Sequence, residues 1–219
     1  MQIVIGNVLS AEDLKGVHVV LTRARFVDGR ATAGFAARLV KNNQQAANDR
    51  KLDAARALIA GRLMSNDVFR LAARPKTLSP LIVSRYEPGM AYGSHVDDAL
   101  MQGMRTDVSF TLFLSQPDSY DGGELVIESA SGEEAVKLDP GSLVAYPSTA
   151  LHRVAPVTRG ARLAAVGWVR SYVRDAARRE LLFDLDTARR AMFTREGNSA
   201  EYDLVSKSLA NLMRMWVED

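Results

Sequence analysis

The chain has 219 residues, of which 47% are hydrophobic and 25% charged. This composition lies outside the range of disordered proteins and is sufficient for one sizeable folded domain. The 28 basic and 26 acidic residues leave a net charge of only +2, so we predict no nucleic-acid-binding surface. The absence of cysteine excludes disulfides and thiolate ligands, so a metal site would have to be built from imidazole and carboxylate groups.

The sequence also lacks the features of a membrane protein. No stretch approaches the roughly 18 continuous apolar residues that a membrane-spanning helix requires. Residues 1–5 lack the basic start of a signal peptide and are followed at once by Gly6-Asn7. We therefore expect no membrane partner and a cytoplasmic location.

Helices are predicted in the first third of the chain. Ser10-Ala11-Glu12-Asp13 has the pattern of a capping box, and the apolar spacing after it predicts a first helix from about Ser10 to Ala24. A second helix is predicted from Ala46 to Arg70, ending before Pro75. We interpret His18, within the first helix, as a surface or core-edge residue and not as a metal ligand.

After Pro75 the pattern changes to short segments rich in β-branched and aromatic residues, separated by glycine-containing turns. Such spacing predicts an antiparallel double sheet or jelly roll with helices gathered at the front. We expect strands near residues 81–86, 108–114, 125–128, 135–138, 143–146, 152–157 and 161–169.

The last part of the chain returns to a helical pattern. Two amphipathic helices are predicted, at about 173–194 and 200–217, separated by Gly197-Asn198-Ser199. Their apolar surface exceeds what one small sheet face needs, so residues 173–219 are expected to pack on the core and to contribute a homodimer contact. The alternative, that both helices only complete the core of a monomer, is equally compatible with the pattern.

Two histidines and an aspartate are the candidate metal ligands. His95 and Asp97 are two residues apart on an extended segment and project to the same side, and His152 follows on a later strand. Two imidazoles and one carboxylate occupy one face of an octahedral ion and leave the opposite positions open, as in non-haem Fe(II) oxygenases. We interpret these three residues as the metal site and as the catalytic centre that acts through the metal. Asp98 alternates to the opposite face, and we expect it to be exposed or to support a ligand.

Arg162 is the candidate for binding a carboxylate. It lies ten residues after His152 within an apolar run, Gly160-Ala161-Arg162-Leu163-Ala164-Ala165-Val166. A charge that faces inward from such a run requires an anionic partner. The planar guanidinium fork suits a carboxylate co-substrate, whereas an outward-facing Arg162 would be an ordinary surface residue.

The motif around His95 is similar to that of a known family. The segment from Arg85 to Asp97 contains Arg-Tyr, Gly, Tyr and His-x-Asp in the order found in the prolyl/lysyl hydroxylase-domain family of Fe(II)- and 2-oxoglutarate-dependent dioxygenases. The chain most resembles the bacterial PKHD-type hydroxylases associated with iron uptake. Further matching segments lie along nearly the whole chain, at Lys41-Asn42-Asn43-Gln44, Gly122-Gly123-Glu124-Leu125, Pro140-Gly141-Ser142, His152-Arg153-Val154, Arg159-Gly160-Ala161-Arg162 and Trp168-Val169.

The resemblance implies a fold and a reaction. The fold is of the α+β class: a cupin-like double-stranded β-helix (jelly roll) with N-terminal helices and a C-terminal helical extension. The domain would span residues 1–172, with helices in 10–70 and the β core in 79–170, followed by the extension 173–219. The reaction is oxidative decarboxylation of 2-oxoglutarate to succinate and CO2, coupled to hydroxylation of a peptide or small-molecule substrate, with Fe(II), O2 and, as a reductant, ascorbate (vitamin C).

The resemblance also implies roles for individual residues. Arg162 would pair with the far carboxylate of 2-oxoglutarate. Tyr86, and less strongly Tyr92, could hydrogen-bond the co-substrate or line its pocket. Some relatives use a tyrosine on the strand before the Gly-Gly turn to hold this carboxylate, but here Phe113 stands on that strand and cannot donate, so Thr111 is a candidate substitute.

Two other functions stay open at this level. A non-catalytic, cupin-like iron-binding or iron-sensing protein would share the three ligands but would not need Arg162. An oxidative nucleic-acid demethylase would share both features, yet it would be expected to carry a clustered basic stripe with exposed aromatic residues, which the sequence does not contain.

Overall fold

Two antiparallel sheets form the centre of the fold in a computed structural model that describes residues 1–218. The major sheet has the strand order β1 (Ile3–Ile5), β14 (Leu143–Pro147), β10 (Val108–Phe113), β17 (Arg162–Ser171), β6 (Ile82–Tyr86), β4 (Gln44–Ala46) and β2 (Phe26–Asp28), and β5 (Pro75–Leu78) also pairs with β17. The minor sheet has the order β13 (Gly132–Val136), β12 (Leu125–Ser129), β15 (His152–Val154), β7 (Ala91–His95) and β3 (Lys41–Asn42).

Two short ladders complete the strands, β11 (Asp121–Gly122) with β16 (Val157–Arg159) and β8 (Leu100–Met101) with β9 (Met104–Arg105). The α-helices are α1 (Ala11–Leu21), α2 (Phe35–Leu39), α3 (Arg50–Ser65), α4 (Asp67–Ala73), α5 (Ala176–Glu196) and α6 (Ala200–Trp216). The expected double-stranded β-helix with helices at both ends of the chain is confirmed. None of the helices within residues 1–218 is long and apolar enough to cross a bilayer.

The first predicted helix is confirmed together with its capping box, in which the Ser10 and Asp13 side chains each accept a backbone N–H from the other residue. The prediction of one helix over residues 46–70 was wrong, because Asn66 divides it. Asn66 leaves the helical conformation at ψ 118° and ends α3, while its side chain accepts the N–H of Phe69 and so begins α4. Residues 44–46 form β4.

The strand predictions in the second half of the chain agree with the structure to within a few residues, with one correction. The predicted strand at 152–157 is two strands, β15 and β16, separated by Ala155-Pro156. Proline has no N–H to donate and is disfavoured inside a ladder. The turn there also needs close backbone approach, because a Cβ on Gly122 would lie 2.0 Å from the carbonyl oxygen of Pro156.

Alternation along the central strands produces two separate cores. On β10, Phe110 and Leu112 face the helices and pack in a cluster with Leu52, Ile59, Leu63 and Phe69 of α3 and α4. Phe113 faces the other way and packs between the two sheets with Tyr86, Leu125, Ile127, Val144 and Val154. The second core lies at the inner end of the space in which the candidate ligands are found.

The C-terminal helices form a third cluster, in which Val173, Leu182 and Leu209 are buried. Of these two helices, α5 begins at Ala176, where Asp175 caps it, and not at Val173 as predicted. Arg179 is 4% exposed and donates to the carbonyl oxygens of Val173 and Arg174. At 3.3 Å it also donates to the carbonyl oxygen of Asp107, the residue before β10. The extension is therefore bonded to the major sheet by a buried guanidinium.

Candidate active site

His95, Asp97 and His152 converge at the open end of the space between the sheets. His95 is the last residue of β7, His152 is the first of β15, and the two are paired across the antiparallel ladder. Their ring centroids are 4.3 Å apart, and His152 Nε2 lies 3.8 Å from Asp97 Oδ2. One ligand atom from each of the three side chains falls within 4.8 Å of the others. His18 does not belong to this cluster.

Backbone carbonyls fix the orientation of both imidazoles. The Nδ1–H of His95 donates to Gly93 at 2.8 Å, and that of His152 donates to Ala150 at 3.0 Å. A carbonyl oxygen can only accept, so Nδ1 carries a proton in both rings and Nε2 is the nitrogen left to coordinate a metal. Burial, followed by the neighbouring His152, lowers the pKa of His95 to about 4, so this imidazole is neutral near pH 7.

The carboxylate of Asp97 is held by one buried hydroxyl group, which a second buried hydroxyl contacts. The Ser109 hydroxyl donates to Asp97 Oδ2 at 2.6 Å. The hydroxyl oxygen of Ser148 lies 2.9 Å from that of Ser109, so the Ser148 hydroxyl can donate to Ser109. Ser109 projects from β10, and sequence analysis assigned it no role. The adjacent Asp98 is exposed, as predicted, but it also lines the cavity, with its carboxylate beside Gly34 at the cavity edge.

The donor set fits a ferrous ion. Neutral imidazole nitrogens and one carboxylate oxygen suit Fe(II) and leave positions open for further ligands, and no thiolate is present to select a softer metal. The aromatic surroundings keep the ligands in place: the ring of Tyr92 stacks on His95 with centroids 3.6 Å apart, and that of Tyr146 lies 5.1 Å from His152.

Arg162 is a buried cation at the other end of the same space. It is the first residue of β17, is 1% exposed, and lies opposite Tyr86 in the sheet. Its guanidinium carbon is 5.3 Å from the ring centres of both Tyr86 and Phe113. Its Nε atom has no hydrogen-bond partner, and no carboxylate of residues 1–218 forms an ion pair with it. A buried charge without an anion is costly, so this end of the cavity fits a carboxylate ligand.

The residues around Arg162 differ from the pattern of some relatives as the sequence indicated. Phe113 provides only an aromatic face to the guanidinium. Thr111 lines the cavity near Tyr146. Burial raises the pKa of Tyr146 well above its usual value, and the Thr111 side chain opposes this effect. Burial also raises the pKa of Tyr86, so both phenols stay neutral and can donate hydrogen bonds. Tyr146 was not identified from the sequence.

The candidate ligands and Arg162 line one inner cavity of about 80 Å³, large enough for more than one water molecule. It adjoins an outer groove of about 950 Å³. The two share wall residues, among them Thr32, Gln45, Ile82 and Trp168. Lys41 and Trp168 were recognised in the sequence only as parts of matching segments. Both line this cavity, and an isolated lysine or tryptophan in a strand gives no signal that would have identified them.

Comparison with known proteins agrees with this geometry. Residues 81–170 match the family model described as 2OG-Fe(II) oxygenase superfamily. A PKHD-type hydroxylase of Picosynechococcus sp. is 55% identical over 217 residues, 98% of each chain. One of Synechococcus elongatus is 54% identical over an alignment of 223 positions that spans the whole of both chains.

Solved structures share the fold at lower identity. A Pseudomonas putida prolyl-4-hydroxylase has a TM-score of 0.58 and 22% identity, with 78% of this chain and 92% of that one covered. A prolyl hydroxylase from Trichoplax adhaerens, in complex with a peptide fragment of the hypoxia inducible factor oxygen degradation domain, has a TM-score of 0.54 and 15% identity, with 77% and 82% covered. With relatives above 50% identity over its whole length, the chain belongs to the PKHD-type hydroxylases of the 2OG-Fe(II) oxygenase superfamily and is a 2-oxoglutarate-dependent dioxygenase.

Proposed function

We propose that this dioxygenase hydroxylates a substrate that enters through the outer groove, with His95, Asp97 and His152 as the Fe(II) ligands and Arg162 as the residue that binds the far carboxylate of 2-oxoglutarate. The observation that carries the proposal is the presence of both elements in one cavity: three convergent ligand atoms and a buried guanidinium without an anion. A protein that only bound or sensed iron would have no use for that guanidinium. This arrangement therefore favours the enzyme over the alternative left open by the sequence.

Each group has a distinct task in this proposal. Fe(II), together with 2-oxoglutarate and O2, supplies the oxidising chemistry, with succinate and CO2 as co-products. The two Nδ1 hydrogen bonds and Ser109 hold the ligands in position before the metal arrives. Arg162 orients the co-substrate through two parallel hydrogen bonds. Tyr86 and Phe113 keep water away from this ion pair, which strengthens it.

The substrate is a peptide or a small molecule in this proposal. The Trichoplax adhaerens neighbour, which was solved with a peptide fragment, supports the first choice. The resemblance to hydroxylases associated with iron uptake supports a role in iron homeostasis, in which a small iron chelator would be the second choice. Ascorbate as the reductant that preserves Fe(II), and a cytoplasmic location, stay predictions.

The test is co-substrate turnover by the purified protein supplied with Fe(II), 2-oxoglutarate, O2 and ascorbate. We expect slow succinate formation without substrate, a clear increase when fractions of cell extract are added, and neither with the His95→Ala variant. Mass spectrometry of the active fraction should then show a product heavier by one oxygen atom. Succinate formation that the His95→Ala variant retains would rule out the assigned metal site.

A further inference from the structure

Trp168 lies at the open end of the cavity, on the strand that begins with Arg162. β17 presents alternate residues to the cavity, and Arg162, Val166 and Trp168 all line it. At about 3.3 Å per residue, the six steps from Arg162 to Trp168 correspond to roughly 20 Å along the strand. A five-carbon dicarboxylate held at Arg162 is much shorter than this, so the end near Trp168 is available to a second ligand.

The neighbours of Trp168 place it beside the candidate metal site. It is paired with Ser109 on β10, the residue whose hydroxyl holds Asp97. It also lines both the inner cavity and the outer groove. The indole is therefore one of the groups that a substrate entering from the groove can contact, on the side of the ligands away from Arg162.

The indole nitrogen of Trp168 is a donor without an acceptor. Nε1 is buried and has no hydrogen-bond partner. An indole N–H can only donate, and leaving a buried donor unpaired costs free energy. An oxygen atom of a ligand bound at this end of the cavity would satisfy it.

Lys41 supplies a second donor, with a charge, from the minor sheet. It pairs with Tyr92 across β3 and β7, and its ammonium group lies 5.0 Å from the centre of that ring. The side chain is nine-tenths buried, and Nζ donates at 3.1 Å to Thr32, which lines both the cavity and the groove. Burial lowers the pKa of Lys41 to about 8, against the smaller opposing effect of the more distant Asp97 and Asp28. No carboxylate of residues 1–218 forms an ion pair with Lys41, so an anion bound beside it would favour its charged form.

The charges at the iron and at Arg162 leave no anion for Lys41, and Asp98, the other carboxylate of the cavity lining, is exposed and forms no ion pair with it. Arg162 would neutralise one carboxylate of 2-oxoglutarate, and the single positive charge that remains on Fe(II) after coordination by Asp97 would neutralise the other. Buried charges are rarely left unpaired. We propose that the hydroxylated substrate presents a carboxylate, which Lys41 and the Trp168 N–H receive at the open end of the cavity.

This inference rests on the proposed function, because it assumes that 2-oxoglutarate occupies the Arg162 end. The carboxylate has two possible sources, a free acid or the acidic side chain of a peptide. Both offer the same oxygen atoms to Lys41 and Trp168, and the experiment is designed to separate them.

The test measures binding to protein loaded with redox-inert Zn(II) and saturated with 2-oxoglutarate, by calorimetry. The probes are N-acetylated amino acids and the matching carboxamides, and N-acetylated, C-amidated pentapeptides with a central aspartate or asparagine. We expect the carboxylate form to bind at least about tenfold more tightly in one of the two pairs. In a Trp216→Phe background, Trp168 is the only tryptophan, so binding should also change its fluorescence.

The variants connect the preference to the two residues. Lys41→Met should abolish the preference for the carboxylate and Lys41→Arg should retain it, while Lys207→Met, an exposed lysine of α6, serves as the control. Trp168→Phe should weaken carboxylate binding several-fold. All variants should bind 2-oxoglutarate with wild-type affinity, which also reports that they are folded.

The two proposals fail in different ways. Absence of 2-oxoglutarate binding to the wild type would contradict the proposed function. Normal 2-oxoglutarate binding without any preference for carboxylate probes, or with a preference that Lys41→Met retains, would overturn this inference alone.

Discussion

The hydroxyl of Ser109 donates a 2.6 Å hydrogen bond to Asp97, and the two residues are brought together from different elements, β10 and the segment after β7. The bond fixes the rotation of the carboxylate before any metal is present. We expect Ser109→Ala to lower metal affinity by roughly 10–100-fold, the range found when groups supporting a ligand are removed. Ser109→Thr keeps the hydroxyl and should lose much less.

Competition with a chelator of known affinity measures this effect. Ser131→Ala, at an exposed turn position, is the matched control. An unchanged affinity for the Ser109→Ala protein would mean that Asp97 is held by the rest of its surroundings.

The two histidines give the most direct test of the metal site. We expect the purified protein to bind one Fe(II) per chain, and either His95→Ala or His152→Ala to lower affinity sharply, because one-third of the protein ligands is removed. Elemental analysis after dialysis measures the retained iron. His18→Ala, in α1 and outside the cluster, should behave as the wild type. Stoichiometric iron in the double variant His95→Ala, His152→Ala would place the metal elsewhere.

Arg162 controls the affinity for 2-oxoglutarate in our proposal. Loss of a buried, charge-assisted pair costs on the order of 2–5 kcal/mol, so Arg162→Ala should raise the dissociation constant at least about tenfold. Arg162→Lys should also weaken binding, since an ammonium cannot form the two parallel hydrogen bonds. Calorimetric titration measures both. The control is Arg159→Lys, an exposed residue paired with Asp121. Equal affinity for all three variants would require another carboxylate-binding residue.

The fold was largely predictable because its second half follows simple local rules. Between residues 81 and 171, apolar runs and glycine turns coincide with most of the observed strands, but β7 and the two-residue strands β8, β9 and β11 were not predicted. Residues 26–28 and 44–46 were missed, because three-residue strands are too short to show alternation. The division of α3 from α4 at Asn66 was also missed, since the apolar periodicity continues through it.

The candidate site was predictable where its chemistry is local. His95 and Asp97 share one short motif, and Arg162 is conspicuous as a charge in an apolar run. Ser109, Lys41 and Trp168 belong to residue types that occur in any strand, and only the pairing of β10 with β17 and of β3 with β7 brings them to the cavity. Their contribution depends on tertiary structure that no spacing along the chain reveals.

The homodimer predicted for the C-terminal helices is best tested at apolar residues that the structure leaves exposed. Met213 and Trp216 pack on the cluster of Val173, Leu182 and Leu209, so charges there should disturb the fold. Leu204 and Met215, which are 57% and 72% exposed, lie eleven positions apart on one face of α6. If a dimer forms through this face, Leu204→Glu, Met215→Glu should give a folded monomer in light scattering.

A wild type that is already monomeric would contradict the dimer and support the alternative, in which the helices only complete the core. Circular dichroism of the variant distinguishes dissociation from unfolding.

The buried contact of Arg179 with Asp107 connects the C-terminal extension to the candidate metal site. The carbonyl of Asp107 also accepts the N–H of Ser148, and the Asp107 carboxylate accepts the N–H of Ser171. Ser148 in turn contacts Ser109 and so leads to Asp97. A truncated protein that stops at residue 172 would lose Arg179 from this chain of bonds. The extension thus helps to hold the carboxylate ligand in position. Removing it should lower both the metal affinity and the stability of the fold.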